Sequence, residues 1–392
     1  MKLKNERKLL ISCARNCICG DKPAGITSLL SPQIKWDDFL DAAVSSGMAP
    51  LVYKSLKDIP DKTSVPLEIM GSLADIYHGS VARNMYMRSE LERILTVFNE
   101  KGIEVMLLKG AALSGTVYRD IGLRLMGDID ILVRPGCLDR AKTLMSELSY
   151  AAEGGAGTEE WYRKNHFHLP PFKHESMPII VEVHWDIAGD SLGNNVNRWW
   201  ERARKIKVGE ATALVPSPED MVLHLCISLY YGNYDKAALR GLGDIYHTIC
   251  YFTGQTDWKL LRDEIAESGI AGPVYSLLSL VIKYFNIENE TLSWLVHEHT
   301  DHKLTVIMEN MIMDPEDASY SVFMRSLAAD TKRGKMRIII NDVFPPREKM
   351  LKRYAIQPGS PRVYLCYAFR PIEMALKYGG SFVRMLCFRG AG

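Results

Sequence analysis

LLKGAALSGTVYRDIGLRLMGDIDILV (residues 107–133) and, further on, IIVEVHWDI (residues 179–187) are the two stretches whose reading decides the fold. The run from Val105 to Leu108 is short and continuously apolar, which reads as a buried strand. The small residues after Lys109 read as a helix that begins near Gly110. Ile129 to Val133 is the next strand, closed by Arg134-Pro135-Gly136, and Leu138, Ala141, Met145 and Leu148 mark a helix after it. Pro178 introduces a third strand, Ile179 to Ile187. Strand–helix–strand–helix–strand in this order is a compact α/β unit. A strand that runs into a glycine-opened helix also suits phosphate, because unpaired backbone N–H groups converge there, although that signal is weak alone.

Working outward, WDDFLDAAVSSGM and PLEIMGSLADIYHG read as separate helices between Pro and Gly breaks. A longer helix follows, with Met87, Leu91, Ile94, Leu95 and Phe98 on one stripe and Gly102 as its stop. Beyond the α/β unit the text turns helical again at Ser217, an N-cap followed by Pro218 and, at the third helical position, Asp220. These patterns predict a helical region over 1–80, an α/β core over 81–215 and a helical region with a basic tail over 216–392. No repeat period and no low-complexity segment occur.

Length and composition bound the reading. A chain of 392 residues, 47% hydrophobic and 24% charged, is ordinary globular material and exceeds one usual core. Its net charge of +1 gives no whole-chain attraction for nucleic acid or anionic membrane. The charge is unevenly placed. From Thr331 to Gly392 there are thirteen Lys/Arg against three acids, a local balance of +10, which leaves −9 on the residues before. Such a tail meets phosphate, as in RNA, or docks on the chain's own acidic body; the interleaved Phe344, Tyr354, Tyr364, Phe369, Tyr378 and Phe382 favour a packed segment. No uncharged run is long enough to span a membrane and no signal peptide stands at the N-terminus, so a cytoplasmic protein is expected. Eight scattered cysteines suit reduced thiols, and the C-x₃-C-x-C spacing of Cys13, Cys17 and Cys19 is not that of a zinc site.

The chemistry rests on carboxylates. Asp128 and Asp130 are two apart on a strand, so both project from one face while Ile129 and Ile131 point to the other. Side by side they repel, and a hard divalent cation such as Mg²⁺ relieves that repulsion. Glu182, between Val181 and Val183, is a third carboxylate in an apolar strand, and burying it unpaired would cost several kcal/mol. If the two strands are neighbours, all three acids converge on one metal cluster. A purely structural account also stands: Asp128 caps a turn after Gly127, Asp130 pairs with Arg124 or Arg134, and Glu182 makes a buried salt bridge.

The run LLKGAAL, YRDIGLRLMGDIDILV and VEVHWDI resembles the nucleotidyltransferase superfamily that shares the DNA polymerase β fold, and most closely its uncharacterised bacterial nucleotidyltransferase family. The resemblance is densest over 104–187 and continues loosely into EDMVLHLC and VFPPREKMLKRY. It implies an α+β fold, with a small mixed sheet and helices embedded in helical N- and C-terminal regions. It also implies transfer of a nucleoside monophosphate from an NTP, ATP among them, with two Mg²⁺ ions. By position, Asp128 and Asp130 match the metal-binding pair and Glu182 the third carboxylate, which joins one metal and takes the nucleophile's proton. Lys109 and Gly110 match the loop that holds triphosphate, and Arg124 the basic residue before the Asp pair. Ala111 stands where Gly or Ser is common, and Glu182 is longer than the usual Asp.

The remaining candidates read first as structure. His166, His168 and His184 suit strand-linking hydrogen bonds, with an acceptor-site role open for His168 and His184. Trp185 and Tyr118 could stack on a base but suit core packing better. His224, His247 and Asp244 make no metal motif. The leading function is a metal-dependent nucleotidyltransferase whose acceptor is a small molecule, peptide, protein or RNA 3′ end. Two alternatives stay open: a nucleotide-binding regulatory module without turnover, and an RNA-directed toxin-type transferase that grips phosphates through the basic tail.

Overall fold

Gly102, at φ +68°, ends the long helix and turns the chain into the centre of a sheet, a backbone conformation glycine adopts without steric cost. A computed structural model describes residues 4–19, 24–30, 33–59, 64–154, 156–187, 195–232, 237–313, 340, 343–345, 347–357 and 359–387.

Seven strands build one mixed sheet: β1 (Met106–Leu107), β2 (Ile129–Leu132), β3 (Tyr150–Ala152), β4 (Phe172–His174), β5 (Ile180–His184), β6 (Arg204–Val208) and β7 (Ala211–Val215), in the order β3-β4-β5-β2-β1-β7-β6. The three expected strands sit together in the middle. β2 runs parallel to β5 and antiparallel to β1, and β1 runs parallel to β7. All four residues of β2 are buried, as a central strand covered on both faces requires. With its helices the chain is α+β.

The structure differs from the sequence reading in three places. PLEIMGSLADIYHG and the helix after it form one 34-residue helix, Leu67–Glu100, which runs unbroken through residues 80 and 81. Gly71 and Gly79 open onto empty space, so neither side chain nor packing forces a break there. The hairpin β6–β7 is not among the predicted strands, although Gly209, at φ +59°, sits in a two-residue turn between its two strands. β3 and β4, three residues each, are too short to stand out as strands.

Other expectations hold in detail. Met87, Leu91, Ile94, Leu95 and Phe98 are all buried. The Ser217 hydroxyl accepts from the Asp220 N–H at 3.2 Å and caps helix Pro218–Tyr231. One apolar core, from Leu9 to Met313, joins the N-terminal helices, the sheet and the helices after it. Of the tail, helices Arg347–Arg353 and Arg362–Cys387 are described, with Met350, Val363 and Met374 buried apart from that core. Lys332 and Lys335 of the basic run lie outside the described residues.

Candidate active site

Asp130 of β2 stands directly opposite Glu182 of β5, and Leu132 opposite His184. Because side chains alternate along a strand, Glu182 and His184 share one face with Asp130. Asp128 lies one residue before β2 and, by the same period, on that face. Asp130, Glu182 and His184 bring one ligand atom each within 4.8 Å of one another. His184 Nε2 is 3.1 Å from Asp130 Oδ1 and 3.5 Å from Glu182 Oε2.

Lys109 enters the cluster from the turn after β1. Its Nζ donates to Asp130 Oδ1 at 2.6 Å and lies 3.8 Å from Glu182 Oε2. Its backbone sits at φ +42°, a left-handed conformation that costs a non-glycine residue about 1 kcal/mol or more. Gly110, beside it, is buried where a Cβ would collide with Arg124 Nη1. The pairing of Asp130 with Arg124 or Arg134 allowed by the sequence is therefore not formed. Lys109 and His184 hold Asp130, and Arg134 pairs with Glu104 at 3.5 Å.

Three carboxylates share this cluster with one lysine, and their protonation reflects it. Burial and then the charge of Asp130 push the Asp128 carboxyl up to about 6, against the opposing pull of Lys109. Burial also raises Asp130, but Lys109 and the His184 hydrogen bond outweigh it and hold the group below the usual carboxylate range. Glu182 is lowered as well: burial opposes ionisation, but the His184 hydrogen bond and the charges of His168 and Lys109 prevail. Burial lowers His184, yet hydrogen bonds to Asp130 and Glu182 raise it overall. Asp130, 2% exposed at its side chain, is satisfied within the protein; Glu182, 20% exposed, is at the rim.

Arg124 is built differently. Its Nε and Nη2 donate to the Asp244 carboxylate at 3.0–3.2 Å, and Tyr118 Oη donates to Asp244 Oδ1 at 2.7 Å. Nη1 reaches the Leu125 carbonyl at 3.4 Å. The long helix holds the loop that carries this arginine: Asn84 Nδ2 donates to the carbonyls of Ile121 and Arg124 at 2.6 and 2.7 Å, and Arg83 to those of Met126 and Gly127 at 2.8 and 3.1 Å. Gly122 lies against Val81 and Tyr77 of the same helix, where a Cβ would not fit. One helix thus fixes the loop that delivers Asp128 and Asp130 to the sheet.

The structure therefore brings Lys109, Asp128, Asp130 and Glu182 together, and ties Arg124 to Asp244 beside Gly110. The sequence excludes Asp244 from a metal motif but gives no sign of its pairing with Arg124, nor of the part Asn84 plays. Asp244 lies in helix Ala238–Tyr251, and nothing local in a buried helical stretch signals a partner 120 residues away. Tyr118 is buried, and Trp185 packs against the core. His168 Nδ1 bonds the Leu169 carbonyl at 2.7 Å, its ring lies 5.0 Å from that of His184, and His166 stacks on Tyr162. The free thiols of Cys13 and Cys17 join no metal-binding group among the described residues; the Cys19 side chain is outside them.

The mixed sheet sets carboxylates from adjacent parallel strands against a lysine that enters from the turn after β1. The chain matches the family described as uncharacterised nucleotidyltransferase over residues 32–286 and belongs to that family. The match contains the whole sheet, the carboxylate cluster and the Arg124–Asp244 pair. It ends before VFPPREKMLKRY, so that part of the expected resemblance lies beyond it. No curated protein matches the chain. Among the described residues, no helix is long and apolar enough to cross a membrane.

Proposed function

We propose that the chain transfers a nucleoside monophosphate from an NTP to the hydroxyl of an acceptor, with release of pyrophosphate and dependence on Mg²⁺. The observation that carries this reading is the register of Asp130 opposite Glu182 on parallel strands, with Lys109 between them. The donor set fits the ion: Asp130 and Glu182 bring ligand atoms within 4.8 Å of each other beside His184, and Asp128, left ionised only at a cost, adds carboxylate charge of the kind a hard divalent cation neutralises. Asp128, Asp130 and Glu182 would hold it. When bound it supplies charge for the triphosphate and lowers the barrier to attack at the α-phosphorus.

The residues divide the remaining work. The acceptor oxygen forms a bond to the α-phosphorus, the bond from that phosphorus to the bridging oxygen breaks, and pyrophosphate leaves with the electron pair. Glu182, at the rim, orients the hydroxyl and takes its proton. Lys109, whose amine is held protonated by Asp130, Glu182 and Asp128 against the effect of burial, neutralises phosphate charge as substrate displaces it from the carboxylates. Arg124, anchored by Asp244, presents its remaining nitrogen beside Gly110, where a Lys109–Gly110 turn receives phosphate oxygens. His184 keeps Asp130 and Glu182 aligned.

The test is binding of each of the four NTPs to the purified protein, with and without Mg²⁺. Metal-dependent affinity for at least one is expected; none for any of them rejects the reading.

A further inference from the structure

The C-terminal helix Arg362–Cys387 carries apolar residues on two sides. Val363, Arg370 and Met374 are buried on one side. Leu365, Phe369, Ile372 and Leu376 follow the i, i+4, i+7, i+11 spacing of a single stripe and are between 56% and 83% exposed. Tyr364, also exposed, flanks them. Isolated apolar residues on a surface are ordinary, but four in register on one helix face need an occupant.

Charge selects among the occupants. Residues 331–392 carry a balance of +10. Arg347, Arg353 and Arg362 are exposed; Arg347 lies over the Tyr364 ring beside the stripe, and Arg353 is 3.8 Å from Glu373 of the same helix as the stripe. A second copy would set two segments of the same sign against each other across one seam. Single-stranded RNA would use the arginines and Tyr364 but leave the aliphatic Leu365, Ile372 and Leu376 without a role. An anionic bilayer uses both, since aliphatic and aromatic side chains enter the acyl boundary while arginines meet the headgroups. The stripe from Leu365 to Leu376 extends about 17 Å at 1.5 Å per residue, short of the roughly 30 Å hydrocarbon core, so such a helix lies on the membrane. The family match ends at residue 286, which leaves this segment outside the part that defines the catalytic family.

We propose that Leu365, Phe369, Ile372 and Leu376, with the arginines around them, form a peripheral docking surface for anionic lipid. It is independent of the transfer reaction. The test is co-sedimentation of the full-length chain with vesicles of phosphatidylcholine containing phosphatidylglycerol, against vesicles of phosphatidylcholine alone. Binding to the anionic vesicles is expected, weakened by salt, with little binding to the neutral ones. Replacing Leu365, Phe369 and Ile372 together by serine is expected to cut the bound fraction about tenfold or more. Leu376→Ser, at the most exposed position, keeps the test open should the triple variant fold poorly, and is expected to weaken binding by at least about twofold. No binding to anionic vesicles overturns the proposal. So does undiminished binding by folded serine variants, binding of single-stranded RNA in place of vesicles, or a dimer that those variants dissolve.

Discussion

Two buried charge clusters flank the same loop, and they are assembled on opposite principles. Arg124, Asp244 and Tyr118 form a closed set: one positive group, one negative group and a hydroxyl, with the carboxylate bonded on both oxygens. Asp128, Asp130, Glu182, Lys109 and His184 form an open one, in which three carboxylates outnumber a single lysine and one of them sits at the rim. Closed networks fix a shape, because removal of either partner leaves a buried charge alone. An open cluster with surplus like charge is poorly suited to stability and well suited to a cationic ligand. Under the proposed function, the difference separates the buried acids of the scaffold from those of the chemistry.

The comparison is broken most readily at Asp128. Asp128→Asn is expected to lower turnover roughly 10³-fold or more, while the metal-free protein melts at the same temperature or higher. A steady-state assay and a melting curve on one preparation check both halves, and a large loss of stability would move Asp128 into the scaffold. Asp244→Asn is the counterpart: stability falls by roughly 3 kcal/mol because Arg124 stays buried with a weaker partner. Turnover per folded molecule is expected to drop only about 10- to 100-fold as Arg124 loses its anchor. Denaturant unfolding and the same assay measure it.

Acid titration sharpens the contrast. Asp128 is raised to about 6 in the folded chain, whereas an unfolded aspartate titrates near about 3.9. At pH 7 the group is ionised in both states, and keeping it so in the fold costs on the order of 2 kcal/mol after screening at its partly exposed position. As pH falls through about 6 the folded state takes up the proton first. The penalty shrinks and is gone below about 4. Metal-free Asp128→Asn is thus expected to exceed the parent in stability at neutral pH and to converge with it in acid; a gap independent of pH contradicts the assignment. The smallest effect belongs to the scaffold alone. Ser217→Ala, which removes a helix cap, is expected to cost about 1 kcal/mol with turnover unchanged.

Much of this contrast was legible in the amino-acid order, though unequally. Period-two spacing was enough to bring Asp128 and Asp130 to one face, and an acid flanked by valines pointed to Glu182. Local signals also sufficed for the Ser217 cap and the Gly102 stop. What stayed hidden depends on tertiary contact. The clasp of Asp244 on Arg124 spans 120 residues, and the Lys109–Asp130 bond depends on a left-handed backbone at a residue that rarely adopts one. The unbroken helix Leu67–Glu100 overrode Gly71 and Gly79 because the loop bearing the aspartates leans on Tyr77, Val81, Arg83 and Asn84.

Glu182 offers the most direct measurement, since it is the one carboxylate assigned both to the open cluster and to the acceptor's proton. NTP affinity in Mg²⁺, turnover and melting temperature are measured on a single Glu182→Gln preparation. The account expects NTP affinity to be largely kept, the melting temperature to shift little, and turnover to fall about 10²-fold or more. Turnover intact per folded molecule, with the melting temperature sharply lowered, would show a buried structural acid and contradict it.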